Sequence, residues 1–410
     1  MIGINGAKRL ALGLAGGLVA APAWALDPVA FSEALDRMPN DPPAGALEHG
    51  EPRLEGTDTI VLPDLTMVYP AESDIGPIPL GTARFEGVEE LPNGGYRYRE
   101  ASGPPLERTS EIAPGVALEW SVDGWRITNG RLPPADELFE IAPNGALGGL
   151  YDRIEIGAVR IEAPGGVVVE GEPSVAEYDW DAEPKTYNAP PWNFTVDMTA
   201  VNVPDPALAA WLDETGYRRL AGSLAMNGSF DATAGDHALD YTVSIDGVGS
   251  LRQTYTIGGL TPDVVEGFSG LSANSGQAND EAAAAEADRA FVEAISPVRI
   301  GASLIEFTDD GLTDALLNLA ETQSGVPRAS LVGSVAGGVP IAVGALNAPS
   351  LVAPAFEAVR SFLDAPGSIR IAVDPNEPVE IGSVIEAAQG TAPVSWVDLL
   401  RPSVSANGAN

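Results

Sequence analysis

The chain has 410 residues, of which 22 are basic and 58 are acidic, so its formal net charge at pH 7 is −36. A field of that sign repels phosphate backbones, which excludes nucleic acids as partners. Cysteine is absent, which excludes disulfides and cysteine-based catalysis. The dispersed acidic residues indicate either a solvated, salt-adapted surface or binding of divalent cations, and the composition leaves both open.

Residues 1–25 have the pattern of a secretory signal peptide. Lys8 and Arg9 precede the apolar stretch LALGLAGGLVAA, and the small residues of AWA mark a cleavage site after Ala25. We therefore expect an exported, periplasmic protein, with an extracellular location as the alternative. No other run approaches about 20 apolar residues, so we expect that the cleaved chain is not an integral membrane protein.

Changes in composition divide the chain into segments. The stretch SGLSANSGQAND is the most polar internal boundary and is typical of a linker. We predict, in chain order, a signal peptide (1–25), a Pro-rich N-terminal segment (26–56), a β-rich N-terminal domain (57–190), a β-rich middle part with one helix (191–268), a linker (269–280) and an α+β C-terminal part that packs on the same sheet (281–410).

Short apolar runs separated by turn residues predict strands over most of the chain. Asn93-Gly94 and Asp123-Gly124 each lie between two such runs, and Asn or Asp before Gly favours a two-residue hairpin turn. In ALDYTVSID, Leu239 and every second residue to Ile245 are apolar, while the residues between them are polar. This alternation predicts an antiparallel strand with one buried face.

Two helices begin with the same signal. Asp27 precedes Pro28, and Asp205 precedes Pro206, so that each aspartate can cap a helix whose first residue is proline. Gly216 is predicted to end the second of them.

The C-terminal part is predicted to run strand, helix, loop, helix, strand, helix. Its strands are VRIGASLIEF and SIRIAV, and its second helix is SLVAPAFEAVRSFLD. The stretch SVAGGVPIAVGALNAP between the helices is interpreted as an apolar loop or a pair of short helical turns. Its small apolar residues suit contact with lipid or a partner, but packing in the core is the favoured interpretation.

The acidic pair Asp309-Asp310 lies where a strand meets the amphipathic helix that follows. Carboxylates at that position accept hydrogen bonds from the first backbone N–H groups of a helix. We therefore predict a cap rather than a metal site, with Leu312, Leu316 and Leu319 buried.

Catalytic and cofactor motifs are weak throughout. His49 and His237 are the only histidines, neither has a partner at helical spacing, and both are predicted to be surface residues. Glycine-rich stretches lack the residues of a P-loop or a dinucleotide fold. We therefore predict no catalytic residue, no metal ligand and no cofactor.

Aromatic residues are concentrated in the stretch YDWDAEPKTYNAPPWNF. Tyr178, Trp180, Tyr187 and Trp192 are the candidate ligand or partner contacts. Alternatively, their rings cover one end of the sheet within a Pro-rich connection. With the nearby acids they are also compatible with calcium-dependent carbohydrate binding or hydrolysis, although the oxygen spacing of an EF-hand is missing.

The alternating strands together with FTDDGLTDALLNLA and PGSIRIAV resemble alphaproteobacterial envelope proteins akin to the AsmA-like domain families. The resemblance extends over about residues 190–406 and implies an elongated, curved sheet with an apolar groove and a part in lipid handling. It brings no functional residues with it, and the chain departs from those families in lacking an N-terminal anchor helix.

These observations together predict a mainly β (β-rich α+β) protein, with elongated, curved antiparallel sheets and a few amphipathic helices packed on them. The leading functional hypothesis is a non-enzymatic periplasmic protein that holds a lipid or another apolar ligand on a curved sheet. The alternatives are an interaction module that binds another envelope protein without a small ligand, and the calcium-dependent carbohydrate protein.

Overall fold

The computed structural model describes residues 26–37, 46–68, 77–113, 116–134, 151–231, 233–261, 264, 289–390 and 392–408. Strands make up 46% and helices 28% of the structure, and the strands form one large antiparallel sheet. The predicted β-rich class with antiparallel pairing is therefore confirmed. The predicted signal peptide and the predicted linker at 269–280 lie outside the described residues.

Twenty-one strands lie within these ranges, and each of their pairings is antiparallel. In chain order they are β1 (Ala46–Glu48), β2 (Arg53–Glu55), β3 (Thr59–Val68), β4 (Ile78–Glu86), β5 (Glu89–Glu90), β6 (Tyr96–Gly103), β7 (Leu106–Ala113), β8 (Val116–Val122), β9 (Trp125–Leu132), β10 (Tyr151–Ile156), β11 (Val159–Ala163), β12 (Val167–Gly171), β13 (Ser174–Asp179), β14 (Lys185–Asp197), β15 (Arg219–Asp231), β16 (Asp236–Ile245), β17 (Gly249–Gly258), β18 (Arg299–Asp309), β19 (Ser368–Val373), β20 (Val379–Glu380) and β21 (Pro402–Ala406).

The helices with full bounds are α1 (Pro28–Asp36), α2 (Pro206–Thr215), α3 (Leu312–Ser324), α4 (Arg328–Ala345), α5 (Pro349–Asp364), α6 (Ile381–Ala388) and α7 (Trp396–Leu400). Residues 289–295 are helical as well. Asp27 Oδ1 accepts a bond from Val29 N at 2.9 Å, and Asp205 Oδ1 accepts one from Ala207 N at 2.8 Å, so both predicted caps are confirmed. Gly216 follows α2 with a φ of 78°, as predicted for a helix end.

The sheet is largely a meander, in which strands that follow one another in the main row are hydrogen-bonded neighbours. Its main row is β3, β4, β6, β9, β10, β13, β14, β15, β16, β17, β18, β19 and β21, and a second row of β12, β11, β8 and β7 joins β14 beside β13. The predicted division between residues 190 and 191 falls inside β14. Strands on both sides of the predicted linker belong to this one sheet, because β17 pairs with β18.

The two rows are halves of the same long strands. Val122 of β8 pairs with Val159, and Trp125 of β9 pairs with Ile156, so the register does not change between the rows. Asp123 N donates to Ala158 O at 3.0 Å and continues the ladder across the gap. The prediction of a hairpin at Asp123-Gly124 was wrong, because this pair interrupts one long strand instead of reversing it.

A hairpin does form at Asn93-Gly94, but its loop has three residues instead of the predicted two, because Leu91 N donates to Gly95 O at 2.8 Å. It joins β5 to β6, Gly94 has a φ of 82°, and Glu90 pairs with Tyr96. Glycine takes this positive φ without strain, but Asn93 does not have a positive φ, so the turn is not of the primed type. The predicted alternation in β16 is confirmed by the register, which places Leu239 opposite Tyr255 on one face while Asp240 forms an ion pair with Arg252 on the other.

Asp309, two residues before the N-cap position Gly311, caps the first turn of α3 with its carboxylate. Its Oδ1 accepts bonds from Thr313 N at 2.8 Å and from the Thr313 hydroxyl at 2.7 Å, and its Oδ2 accepts one from Gly311 N at 2.9 Å. Asp310 does not cap the helix, because its carboxylate accepts from Gly247 N in the turn between β16 and β17. The first half of the predicted cap is therefore confirmed and the second was wrong.

The predicted buried face of α3 was also wrong in phase. Thr313 and Leu317 are buried, whereas Leu316 is 46% exposed and Leu312 and Leu319 are half-buried. The bonds to Asp309 satisfy the backbone N–H and the hydroxyl of Thr313, which allows this residue to face inward. That rotation takes Leu316 to the solvent side.

Replacing Asp309 with alanine is expected to destabilise the protein by about 1–2 kcal/mol, because α3 loses its cap and the buried Thr313 hydroxyl loses its acceptor. Urea unfolding measures the change. Asp309→Asn retains one side-chain oxygen and is expected to recover part of the loss. Equal stability of D309A and the wild type would contradict the capping role.

The stretch interpreted as an apolar loop is the continuous helix α4, with Pro340 inside it, so that interpretation was wrong. Packing in the core was wrong as well, because only Val332 and Ala336 of α4 are buried. These two residues lie four apart and form the side that faces the rest of the protein.

The fully buried core lies at the N-terminal end of the sheet. Phe31 of α1 has no exposed surface, and its ring centroid lies 5.0 Å from that of Phe85, 5.3 Å from that of Tyr96 and 6.5 Å from that of Tyr98. Ile60 and other strand residues complete this cluster. Helix α1 therefore closes this end of the sheet.

Candidate functional site

The two faces of the sheet differ in chemistry. One face, the polar face, carries cross-strand ion pairs, such as Arg153 with Glu177 at 2.5 Å and Arg252 with Asp240 at 2.7 Å. Pairs this exposed contribute only about 0–1 kcal/mol each. Their repetition along the strands shows that this face is in contact with solvent.

The opposite face, the apolar face, carries the alternate residues of the same strands. Cross-strand register places large apolar side chains next to one another from β9 to β21. Its members, in strand order, are Ile127, Ile154, Tyr178, Tyr187, Leu224, Val243, Leu251, Ile305, Ile371 and Val404.

The described helices that pack on the apolar face lie at its ends. At the C-terminal end, Ala358 and Phe362 of α5 are buried against a cluster that includes Phe307, Ile369 and Val404. One step along the same two strands, Ile305 and Ile371 lie opposite each other and are 45% and 50% exposed. Among the described residues of β11–β17, no large apolar side chain is fully buried. The middle of the face is therefore uncovered.

An apolar cavity of about 300 Å³ continues this face at the N-terminal end. Leu47 of β1, Met67 of β3, Phe85 of β4, Trp125 of β9 and Ile156 of β10 all line it. Strands this far apart in the sheet line the same cavity, so the sheet curves around it.

Three of the four predicted contact residues lie together on the apolar face. The Tyr178 ring is 5.6 Å from Trp180 and 6.0 Å from Tyr187, and it is also 5.1 Å from Tyr151 at the edge of the cavity. Trp192 is on the same face, opposite Leu224, but outside this cluster, with its ring 5.7 Å from Phe194 and its Nε1 donating to Glu172 O at 2.6 Å.

These aromatic rings lie flat on the sheet because glycines face them on the neighbouring strands. A Cβ atom at Gly228 would come within 2.2 Å of the Tyr187 ring, and one at Gly171 within 2.2 Å of the Trp192 ring. Burial among the rings raises the pKa of Tyr187 to about 12 and also raises the pKa of Tyr178. The tyrosines therefore stay neutral and form a floor to the apolar face.

His237 belongs to the same floor, although it was predicted to be a surface residue. Its ring lies 6.5 Å from Tyr187, 6.2 Å from Phe230 and 5.9 Å from Tyr255. Burial lowers its pKa. The signal was present, because His237 lies two residues before Leu239 and continues the alternation of β16 toward the apolar face.

We expect the stability of the protein to fall between pH 7.5 and 5.5 through His237. Since burial lowers the pKa of the folded state below the ordinary value of 6.5, the unfolded chain gains the proton first as the pH falls. Stability is therefore retained above that value and lost below it. His237→Phe should reduce the drop in Tm over this range. Equal drops in H237F and the wild type would contradict this role.

Acidic residues do not gather into a cation site in the described part of the chain. No group of three or more histidine, aspartate or glutamate side chains there is placed to hold a metal ion. A cleft of about 780 Å³ lies where the two rows of the sheet meet, and the side chains that project into it from the polar face include Arg160, Glu170 and Asn193. Arg160 and Glu170 are paired with each other.

Comparison with known proteins gives one family match. The chain is similar over residues 242–407 to a family whose model is described as an uncharacterized protein. No curated protein matches the chain. The matched part begins within β16 and ends just after β21, so it includes Ile305, Ile371 and α4 and leaves out the apolar cavity near α1.

Proposed function

We propose that the protein is a non-enzymatic periplasmic protein that holds a lipid, or another ligand with an apolar chain, against the apolar face of its sheet. The observation that carries this proposal is the uncovered stretch of that face between the α1 core and α5, where Ile305 and Ile371 are about half exposed. The pattern of residues 1–25 supports a periplasmic location.

The exposed apolar side chains in the middle of the face favour an occupant. Removing apolar surface from water stabilises a complex by about 25 cal/mol per Å², or about 0.8 kcal/mol for each methylene group that becomes buried. Monomeric soluble proteins rarely expose a contiguous apolar patch larger than a few hundred Å². A flexible acyl chain laid across the strands would cover this face without polar partners.

The face is long enough for such a chain. Seven inter-strand steps separate β10 from β19 in the main row, and at about 4.8 Å each they span on the order of 34 Å. One leaflet of a bilayer is only about 15 Å of hydrocarbon thick. An acyl chain of ordinary length therefore fits between the N-terminal cavity and α5.

One polar group in the lining favours a ligand that carries an oxygen atom. Trp125 Nε1 is buried beside the cavity, and it has no hydrogen-bond acceptor among the described residues. An unsatisfied buried donor costs about 1–3 kcal/mol. The carbonyl or carboxyl oxygen of an acyl chain would satisfy this donor, which a plain hydrocarbon cannot do.

The proposal is tested by expressing the full chain so that it is exported, purifying it and analysing an organic extract by mass spectrometry. We expect an acyl lipid at about one or more molecules per chain. Protein without co-purifying lipid that also fails to bind a fluorescent fatty acid would overturn the proposal. Recovery of one envelope protein in a stoichiometric complex, with no lipid, would select the interaction module instead.

A further inference from the structure

Helix α4 has the composition of a buried helix but lies at the surface. By length and composition alone it could cross a membrane, since it has 18 residues and a mean hydropathy of 1.3. Only 11% of it is buried. Ile341 is 79% exposed and Leu346, which follows the helix, is 58% exposed. A helix that is apolar on all sides is normally enclosed by protein or lipid.

The charge pattern around α4 differs from that of the rest of the chain. Acidic residues occur about once in seven positions overall, but none lies between Glu321 and Glu357. Arg328, at the first turn of α4, is the one charged residue in that interval, and residues 329–356 carry no charge. A surface helix of a soluble protein would normally carry charged residues on its exposed side.

Local sequence preferences point in the same direction. Four of the 18 residues of α4 are glycine and one is proline, and each glycine disfavours a helix in water by about 1 kcal/mol relative to alanine. Glycine and proline are more frequent in membrane helices than in soluble ones. In contact with hydrocarbon, an unfolded backbone would leave its polar groups unsatisfied, so the helical state is favoured there.

The packing of α4 limits how it can meet a membrane. Val332 and Ala336 are buried on the side that faces the protein, and α4 runs alongside α5, which is anchored on the sheet through Phe362. The helix therefore cannot cross a bilayer while it stays packed. Its exposed side, with Ile341 and Leu346 near the tip of the α4–α5 hairpin, can lie in the interface.

We propose that α4 docks the protein on the surface of a lipid bilayer, with Ile341 and Leu346 inserted among the acyl chains. The net charge of −36 makes an anionic surface repulsive, so the uncharged hairpin suits zwitterionic lipids. The same repulsion disfavours a second copy of the chain as the occupant. This inference goes beyond the proposed function, since docking by α4 does not require a ligand on the sheet.

The absence of cysteine allows a site-specific test with the full chain. An environment-sensitive fluorophore is attached at I341C, and in a control at V29C, which is also exposed (50% for Val29 against 79% for Ile341) and lies in α1 at the other end of the sheet. With phosphatidylcholine vesicles, we expect a blue shift and a rise in emission at I341C and no change at V29C. Vesicles half composed of phosphatidylglycerol should bind less protein at low salt.

A second measurement uses unlabelled protein. I341D combined with L346D should lower vesicle partitioning in flotation by about 10-fold or more, because two inserted side chains lose their apolar burial. Its Tm should match the wild type, because both side chains are exposed. Ile371→Asp, which changes the sheet face, should leave flotation unchanged, and this separates docking from ligand holding.

Three outcomes would overturn the docking role of α4. Wild-type protein could fail to float with phosphatidylcholine vesicles. The protein could float while the probe at I341C stays in water. Membrane binding would then belong to another segment, for example residues 1–25. Finally, light scattering could show a dimer that I341D with L346D dissociates, which would make a second copy the occupant.

Discussion

Replacing Ile305 or Ile371 with aspartate is expected to weaken binding of an apolar ligand by at least about 10-fold. Burying an isoleucine side chain stabilises a contact by about 1.5–3 kcal/mol, and a carboxylate at the same place must be desolvated when the ligand covers it. Both residues lie in the uncovered middle of the apolar face and are about half exposed. The substitutions should therefore affect ligand binding more than folding.

The control is Thr308→Asp on the same strand as Ile305. Thr308 is exposed and pairs with Ser250 and Ser368 on the polar face. Thr308→Asp introduces the same negative charge close to Ile305, but on the polar face of the sheet. Titration with a fluorescent fatty acid measures all three variants, and the lipid content of each purified protein gives an independent readout. If T308D loses ligand as readily as I371D, the loss reflects charge or folding and the face is not the site.

Replacing Phe31 with alanine is expected to destabilise the protein by about 3–5 kcal/mol. The ring is fully buried and contacts Phe85, Tyr96 and Tyr98 edge-on, so truncation leaves a cavity that three aromatic neighbours cannot fill. It also removes the main anchor of α1, since the only other buried apolar residue of that helix is the small Ala34.

Urea unfolding followed by tryptophan fluorescence measures this change, because Trp125 packs against the same cluster. Val29→Ala is the matched control, since Val29 lies in the same helix and is exposed; its effect should stay within about 0.5 kcal/mol. If F31A were as stable as V29A, α1 would not be docked on the sheet. The apolar cavity would then be open at that end, and ligand binding in F31A would report it.

Interactions between neighbours in the chain were the most predictable part of the fold. The caps by Asp27 and Asp205, the hairpin at Asn93-Gly94 and the alternation of β16 all depend on residues within a few positions of one another. The candidate site was predicted in part. Tyr178, Trp180 and Tyr187 do come together, but Trp192 lies farther along β14 on the same face, and His237 joins the cluster from β16.

The wrong predictions share a physical cause, because each concerned a feature that is set by contacts with residues far away in the sequence. Asp123-Gly124 suits a hairpin turn by its residue types, yet the strands on either side of it already have partners in β7, β11, β6 and β10. Similarly, Leu316 fits an apolar stripe, but the bonds between Asp309 and Thr313 set the rotation of α3. A local sequence pattern contains no information about such long-range contacts.

By itself, the sequence determined the balance of strands over helices, the position of most caps and the sidedness of single strands, because these follow from backbone preferences and the two-residue period of a strand. Only the tertiary structure decided that the apolar sides of successive strands join into one face and that, in the described part of the chain, the helices that cover this face lie at its ends. It also decided that α4, whose composition suits a core, lies outside. Whether an apolar surface is covered depends on contacts between distant parts of the chain. The sequence of an apolar segment is the same whether protein or lipid covers it.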